Sequence, residues 1–297
     1  MLTTFDKILL FPLWLLSFIP LPGLYLVADL LYIVSYYILG YRKRVVVENL
    51  KNSFPDKTKK EIQQITSKFY RQLCDVFVES FYLLNMSVKE LDKRYAITNL
   101  EEIKSLHQSG KDVIVATSHY ANWEWGAMFN HHMPYDGLAV YRPLSNKLFD
   151  RFFCHLRSRF GCKMIPMKQT LREIIQYKRA KKQFGLYLLA DQRPGLEDLT
   201  HWINFLNQKT PVITGIEKLA KKFDLAVYFM DIKKVKRGKY NLSFVPVSLD
   251  PGGEPENKIT NAYNQLLEQM ILRQPELWLW SHKRWKYKPE DYMRHNA

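Results

Sequence analysis

The sequence predicts an α/β protein with a mixed, largely parallel central sheet flanked by helices and an apolar, membrane-associating helical segment at the N-terminus. Short β-branched runs alternate with helical patterns along most of the chain. The 297 residues, of which 47% are hydrophobic and 25% charged, suffice to bury a sizeable core. Neither a repeat nor a flexible linker interrupts the later part. We therefore expect an N-terminal segment over 1–45 and one domain over 46–297.

The N-terminal segment is almost wholly apolar over residues 8–41. The interruptions are Pro12, Pro20, Pro22 and Gly23. A spanning helix needs about 20 consecutive apolar residues, whereas the piece at 24–41 is barely long enough and carries Asp29. A membrane span, a helix lying in the membrane interface and a buried core hairpin therefore all remain open.

The flanks of this segment indicate its orientation and its retention. Lys7 is the only basic residue before the apolar run, and no small-residue cleavage site follows the run. We therefore expect that the segment is not removed as a signal peptide. Arg42, Lys43 and Arg44 follow directly. By the positive-inside tendency, they place the domain on the cytoplasmic side of a membrane.

The charge of the chain is strongly positive and unevenly distributed. Lys and Arg total 44 and Asp and Glu 29, a net charge of +15, and the first 41 residues contribute −1 of it. This pattern favours an anionic partner, which leaves nucleic acid, an acidic membrane face and an acidic protein to consider. No nucleic-acid-binding motif accompanies the charge, so we expect no nucleic acid partner. The basic stretches at 178–182 and 233–239 suit either an acidic partner or an ordinary solvated surface.

The elements of the domain follow from local patterns. Thr58 and Glu61 have the spacing of a capping box, and apolar residues at three- and four-residue steps behind them predict a helix over 59–84. The run Asp112–Ser118 predicts a buried strand. Further strands are predicted at 137–141, 162–166, 185–190, 226–232 and 240–247, and helices at 146–160, 168–182, 211–223 and 257–273. The last two strands flank a basic turn and predict an antiparallel hairpin.

The strongest chemical candidates are His119 and Glu124. His119 directly follows a predicted buried strand, and ligands of α/β sheets bind beyond the carboxyl ends of their strands. A neutral imidazole accepts a proton from an alcohol, and a carboxylate can fix its tautomer. Five residues correspond to about 140° on a straight helix, so the two side chains meet only if the segment turns. An ordinary strand-end histidine and a solvated glutamate would give the same weak pattern.

Other chemistries lack their motifs. Ser118 is not set in a G-x-S-x-G nucleophile turn, and Gly110 does not belong to a phosphate-binding loop. His131 and His132 have no metal-ligand spacing around them. Cys74, Cys154 and Cys162 form no CxxC pair, which favours a reducing compartment. We expect neither a metal nor a cofactor.

The segment Ser118–Gly126 resembles the H-x4-D/E motif of glycerolipid acyltransferases, and specifically of the lipid A biosynthesis (lauroyl/myristoyl) acyltransferase family. The likeness continues in order along nearly the whole chain. The further similar blocks are at 41–50, 54–55, 140–146, 189–192, 204–215 and 275–286. Related lysophosphatidic acid acyltransferases normally carry Asp where this chain has Glu124, and an E-G-T-R block that it lacks, which favours the lipid A branch.

The resemblance implies a membrane-associated acyltransferase domain at 46–297, on the cytoplasmic face of a bacterial inner membrane. It would transfer a fatty acyl chain from acyl carrier protein to a hydroxyl of a lipid A precursor at the phospholipid surface. His119 would be the general base, oriented by Glu124. The residues expected to bind substrate are Arg142, Asn146, Asp191 and Gln192. Arg142 is also a candidate to stabilise the oxyanion or to hold a phosphate.

Three alternatives remain open at this point. The acceptor could be a different lipid, such as a lysophospholipid or an amino-acid-linked lipid. The acyl donor could be coenzyme A. The chain could also be a catalytically silent membrane-binding protein of the same fold.

Overall fold

A central sheet organises the computed structural model, which describes residues 3–291 except for the side chains of Lys7, Ala127 and Met128. The strands are β1 (Tyr95–Ile97), β2 (Val113–Thr117), β3 (Asp136–Tyr141), β4 (Lys163–Pro166), β5 (Phe184–Leu189), β6 (Trp202–Phe205), β7 (Gln208–Pro211), β8 (Ala226–Lys236) and β9 (Lys239–Ser248). Seven of them form one sheet in the order β1-β9-β8-β2-β5-β3-β4, in which β8 and β9 pair antiparallel and the other neighbours pair parallel. This confirms the predicted fold class.

Helices cover the sheet and form the N-terminal segment. They are α1 (Thr4–Leu9), α2 (Phe11–Leu16), α3 (Leu21–Ile33), α4 (Lys43–Ser53), α5 (Lys59–Tyr82), α6 (Val88–Asp92), α7 (Leu100–Gln108), α8 (Lys147–Ser158), α9 (Thr170–Arg179), α10 (Gly215–Phe223) and α11 (Lys258–Arg273). A π-helical turn at Val34–Ile38 extends α3, and a 3₁₀ helix at Trp123–His131 follows β2. All five residues of β2 are buried, as expected for a parallel strand covered on both faces.

Several local predictions are confirmed. Helix α5 begins after a reciprocal capping box between Thr58 and Glu61, and β8 and β9 form the predicted antiparallel hairpin. The predictions omitted β1, which has three residues, and the separate two-stranded hairpin of β6 and β7. These strands are too short to show a clear alternation, and the helix predicted over 211–223 begins only at Gly215, after β7.

The basic turn of the β8–β9 hairpin contributes to internal ion pairs. Arg237 contacts Asp29 of α3 at 2.8 Å and Asp75 of α5 at 2.6 Å, and Lys234 lies 3.7 Å from Asp75. Part of the charge in this stretch therefore holds the N-terminal segment against the domain rather than facing a partner.

The N-terminal segment presents one face to the protein and another to the surroundings. Leu24, Ala28, Tyr32 and Tyr36 are buried, and α3 packs along α5. The outer face exposes large apolar side chains. Those of the segment are Phe5, Ile8, Leu9, Phe11, Trp14, Leu15, Phe18, Leu26, Leu30, Ile33, Tyr37, Ile38, Leu39 and Tyr41. The run Leu21–Ile38 is long and apolar enough to cross a bilayer, a criterion that buried core helices also meet.

Candidate functional site

The ends of two neighbouring parallel strands bring His119 beside Asp191. Thr117 of β2 lies opposite Leu189 of β5, so the residues two positions beyond each strand meet at the carboxyl edge of the sheet. The Nδ1 atom of His119 lies 2.9 Å from Oδ1 of Asp191. The backbone N–H of His119 donates to Oδ2 of the same carboxylate at 3.1 Å. Strand register thus fixes both the ring and the backbone of His119 against one carboxylate.

The environment of Asp191 favours its ionised form. Its side chain is buried, with a relative exposure of 1%, and the indole N–H of Trp278 donates to Oδ2 at 2.9 Å. Burial opposes ionisation, but the attraction of His119 and these hydrogen bonds hold the pKa of Asp191 below its ordinary value. An ionised Asp191 can only accept a hydrogen bond, so Nδ1 of His119 carries its proton and donates it to this bond, which leaves Nε2 as the proton acceptor.

Glu124, which we expected to orient His119, makes its hydrogen bonds with Arg157 and Trp123 rather than with the imidazole. Both of its oxygens are bound by Arg157 of α8, at 2.9 Å and 2.7 Å. Burial opposes its ionisation, but the Arg157 guanidinium, with a smaller contribution from His119, lowers the pKa of Glu124. The physical reason for the difference is competition: Asp191 reaches the imidazole from the neighbouring strand end, and Arg157 takes up the glutamate.

An indirect contact nevertheless connects Glu124 to the imidazole. The indole N–H of Trp123 donates to Oε1 of Glu124 at 3.1 Å, and the Trp123 ring packs edge-on against the ring of His119, with 5.6 Å between centroids. Glu124 therefore fixes the orientation of an aromatic ring that bounds the imidazole.

A strained turn separates His119 from Glu124, as their spacing requires. Ala121 adopts the left-handed region, with φ of 53°, a conformation that costs a non-glycine residue roughly 1–2 kcal/mol. Its N–H donates to the carbonyl of Leu277 at 2.9 Å, and the N–H of Leu279 donates to the carbonyl of His119 at 3.1 Å. Asn122 then caps the 3₁₀ helix by accepting from the N–H of Trp125 at 3.1 Å.

The other predicted site residues lie in different settings. Gln192 is adjacent to the imidazole, with Nε2 3.3 Å from Nδ1 and 3.5 Å from Nε2 of His119. Arg142 is exposed just beyond β3, which runs parallel to β5 with Ala139 opposite Tyr187, and therefore lies at the same edge of the sheet. Asn146 caps α8, where its Oδ1 accepts from two backbone N–H groups at 3.0 Å and 3.3 Å. Its observed contacts are those of a helix cap.

Sequence reasoning missed the partners that complete the site. Arg157 binds Glu124 from α8, and no motif in the sequence marks it. Trp278 lies inside the C-terminal block that resembles the family, so that block was a usable signal. The same block supplies His282, whose pKa burial lowers to about 4, and Arg284, whose pKa burial lowers to about 10. Within residues 3–291, no group of three or more His, Cys, Asp or Glu side chains is arranged to hold a metal ion.

Comparison with known proteins adds an independent finding. The family model described as bacterial lipid A biosynthesis acyltransferase matches residues 2–287. A Haemophilus influenzae protein named lipid A biosynthesis acyltransferase is 25% identical over 233 residues, which cover 78% of this chain and 72% of that protein. The lipid A biosynthesis lauroyltransferase of Escherichia coli K12 is 24% identical, over 94% of this chain and 90% of its own length. The palmitoleoyltransferase of the same organism is also 24% identical, with 93% and 89% covered.

Proposed function

This chain belongs to the bacterial lipid A biosynthesis acyltransferase family, and from that premise we propose that it transfers a fatty acyl chain from acyl carrier protein to a hydroxyl of a lipid A precursor. The single observation that supports the chemistry best is the bond between Nδ1 of His119 and the ionised Asp191 at the carboxyl edge of the sheet. This bond leaves Nε2 of the ring as the base. The side chain of His119 is 23% exposed, so this base is accessible.

The proposed reaction is a direct transfer. Nε2 of His119 takes the proton of the acceptor hydroxyl while the oxygen attacks the thioester carbonyl. Asp191 stabilises the imidazolium that forms. The tetrahedral intermediate then expels the thiolate of the carrier, which takes the proton back from His119. One ester bond forms and one thioester bond breaks, and neither a covalent acyl-enzyme nor a cofactor takes part.

Glu124 and Arg157 serve this step as a pair. Glu124 orients His119 through Trp123, and its negative charge adds to that of Asp191 in stabilising the imidazolium. Arg157 compensates the charge of Glu124, which would otherwise be costly because the Glu124 side chain is only 10% exposed. We assign substrate contacts to Gln192 beside the ring and to Arg142 at the same edge, where a guanidinium can hold a phosphate or the developing oxyanion. Asn146 contributes through the start of α8.

The N-terminal segment supports a position of the proposed site at a lipid surface. Its outer face is apolar, and its inner face is held by Arg237 to Asp29 and by Tyr25 to Glu79. A transmembrane path for α3 would break these bonds or draw charged groups of α5 into hydrocarbon. We therefore place the segment in the interface of the inner membrane, on the cytoplasmic face. The basic domain then faces two anionic partners, the acidic carrier protein and the lipid phosphates.

Helix α8 connects the N-terminal segment, called here the lipid-facing segment, to the proposed site. Arg151 pairs with Asp6 of α1 at 2.5 Å, and Arg157 pairs with Glu124 at 2.7 Å. Six helical residues correspond to about 9 Å along the axis. The proposed site therefore lies close to the N-terminal segment, which supports access by a lipid acceptor.

The test is acyl transfer by the purified full-length protein in phospholipid vesicles. Acyl carrier protein and coenzyme A, each loaded with a radiolabelled acyl chain, serve as alternative donors. A lipid A precursor and lysophosphatidic acid serve as alternative acceptors. We expect transfer from the carrier to the lipid A precursor, abolished by His119→Ala and retained by the control His132→Ala, which changes a surface histidine paired with Asp92. Transfer that survives His119→Ala, or that prefers another acceptor, would overturn the proposal.

A further inference from the structure

A fully buried carboxylate outside the reacting groups connects the N-terminal segment to the turn between His119 and Glu124, called here the catalytic turn. Glu79 of α5 has 0% exposure. Its Oε1 accepts from the hydroxyl of Tyr25 of α3 at 2.7 Å. Its Oε2 accepts from the amide of Asn122 at 2.6 Å and from the hydroxyl of Tyr240 of β9 at 3.1 Å. One side chain thus contacts the apolar helix, the turn after His119 and the central sheet.

Helix α5 holds the turn at more than one point. Besides the Glu79 bond to Asn122, the backbone carbonyl of Glu79 accepts from the indole N–H of Trp125 at 3.1 Å. Two turns earlier in the helix, the amide of Gln72 donates to the carbonyl of Ala121 at 3.2 Å. Ala121 is the strained residue, so its conformation persists only because neighbouring contacts determine it.

Asn122 is the residue through which this support reaches the site. Its amide nitrogen is bound by Glu79, and its Oδ1 caps the 3₁₀ helix that begins at Trp123 and carries Glu124. If Asn122 loses its buried acceptor, its amide group is left unsatisfied and can rotate away from the cap. His119, three residues earlier, and Trp123, the next residue, would both shift relative to Asp191.

We propose that Glu79 is a positioning residue of the acyltransferase, which acts through Asn122 to set the turn that holds His119 against Asp191 and which is itself held by Tyr25 of the lipid-facing segment. This inference rests on the proposed function for its activity readout. It assigns to Glu79 no contact with substrate. It also gives the N-terminal segment a role beyond attachment, because the same carboxylate bonds to both α3 and the catalytic turn.

The hydrogen bonds predict that glutamine can replace this residue. Both donors on Oε2 need an oxygen, whereas Tyr25, the partner of Oε1, has a hydroxyl that can accept from an amide. Burial raises the pKa of Glu79 to about 7, which is consistent with a site that tolerates a neutral group. Methionine fills a similar volume but offers Asn122 no strong acceptor.

The experiment compares variants by kcat and by the tautomer of His119 in the folded full-length protein. We expect Glu79→Gln to remain within about twofold of wild type, and Glu79→Met and Asn122→Ala each to lower kcat by about 10²-fold, since small misplacements of a catalytic group have effects of that size. The kcat of the double variant Glu79→Met with Asn122→Ala should be no lower than that of either single variant. Tyr240→Phe, the matched control, removes a bond to the same oxygen but keeps the ring that packs against Trp125 and leaves Asn122 bonded to that oxygen, so it should leave kcat unchanged.

The link to the lipid-facing segment has its own comparison. Tyr25→Phe removes the bond to Oε1 of Glu79, and we expect it to lower kcat about threefold to tenfold. Added to Glu79→Met, the same substitution should not lower kcat further. Full activity of Tyr25→Phe, with reduced activity of Glu79→Met, would remove Tyr25 from the proposal.

A second readout does not depend on the substrate. In ¹⁵N-histidine spectra, Glu79→Met and Asn122→Ala should shift His119 away from the Nδ1–H tautomer, whereas Glu79→Gln and Tyr240→Phe should not. An unchanged tautomer and kcat in Glu79→Met, or independent effects of Glu79→Met and Asn122→Ala, would overturn the inference. If the wild-type protein transfers no acyl chain but the variants still show these spectral changes, the proposed function is refuted and the positioning role stands.

Discussion

Replacement of Asp191 by asparagine is the most discriminating test of the proposed base. Oδ2 of Asp191 accepts from the N–H of His119 and from the indole of Trp278, at 3.1 Å and 2.9 Å. In Asp191→Asn these two donors require the amide oxygen at that position. The amide NH₂ then faces Nδ1 of His119, which must become an acceptor and move its proton to Nε2. The atom that should take the proton of the acceptor hydroxyl would already carry one.

The magnitude follows from this tautomer exchange. A wrong tautomer in a His–Asp pair lowers kcat by about 10⁴-fold where the ring is the base, and we expect at least 10³-fold here. The KM for the acyl carrier protein should change little, because the hydrogen bonds of Asp191 go to His119 and Trp278 inside the protein. The assay combines transfer of radiolabelled acyl chains with ¹⁵N-histidine spectra of the folded variant. Asp224→Asn, which changes an exposed aspartate paired with Lys111, is the matched control.

The pH dependence of stability gives a second, independent measurement on the same variant. The pKa of Asp191 is lower in the fold than its ordinary value of 3.8. Its ionised form therefore stabilises the fold above that value, and this contribution is lost as pH falls through the lower, folded pKa. We expect the difference in unfolding free energy between wild type and Asp191→Asn to shrink as the pH falls below 3.8. Near-wild-type kcat with Nδ1 still protonated would refute the argument.

Two further predictions concern the groups around the site. Arg157→Met leaves the Glu124 carboxylate buried without its partner and should lower the unfolding free energy by about 3–5 kcal/mol, measured by denaturant titration. The double variant Glu124→Gln with Arg157→Met should recover a good part of that stability. Equal losses in the single and the double variant would show that the ion pair is not the cause. On the outer face of α3, Leu26 and Leu30 are 73% and 61% exposed, so Leu26→Glu with Leu30→Glu should weaken co-sedimentation with anionic vesicles by tenfold or more at unchanged melting temperature. Binding as strong as that of wild type would argue against this face as the membrane contact.

The fold was largely predictable because its signals are local. The alternation of β-branched runs with amphipathic helices determines an α/β architecture, and Thr58 with Glu61 marks the beginning of α5 without any tertiary information. The short strands β1, β6 and β7 were not predicted, because they are stabilised by pairing with other strands rather than marked by a pattern of their own. The embedding of the N-terminal segment was open for the same reason: Asp29 disfavours a span, but only the structure identifies Arg237 as its partner.

Some residues of the candidate site were predictable from the sequence, but the way in which they pair was not. His119, Asp191 and Gln192 were all candidates, and each does lie at the carboxyl edge of the sheet. Their arrangement depends on which strand lies beside which, and at what register. Spacing along the chain favours Glu124 as the partner of His119, whereas the pairing of β2 with β5 brings Asp191 from 72 residues away. Arg157 has no signature at all, since a single arginine on an amphipathic helix is indistinguishable from a surface residue until Glu124 is found opposite it.

These contacts imply that the carboxylates of Asp191 and Glu124 have different effects on His119. Asp191 comes from a strand end, is fixed by register, and bonds directly to the ring, so its replacement should act on the tautomer of His119. Glu124 comes from a strained turn, is fixed by Arg157, and reaches the ring through Trp123, so its replacement should act on geometry and on the charge of the imidazolium. The two effects are separable, because Glu124→Gln keeps an acceptor for both Trp123 and Arg157 whereas Asp191→Asn reverses the donor facing Nδ1. A larger kcat loss in Asp191→Asn than in Glu124→Gln, together with a tautomer change confined to Asp191→Asn, is the ordering that this geometry requires.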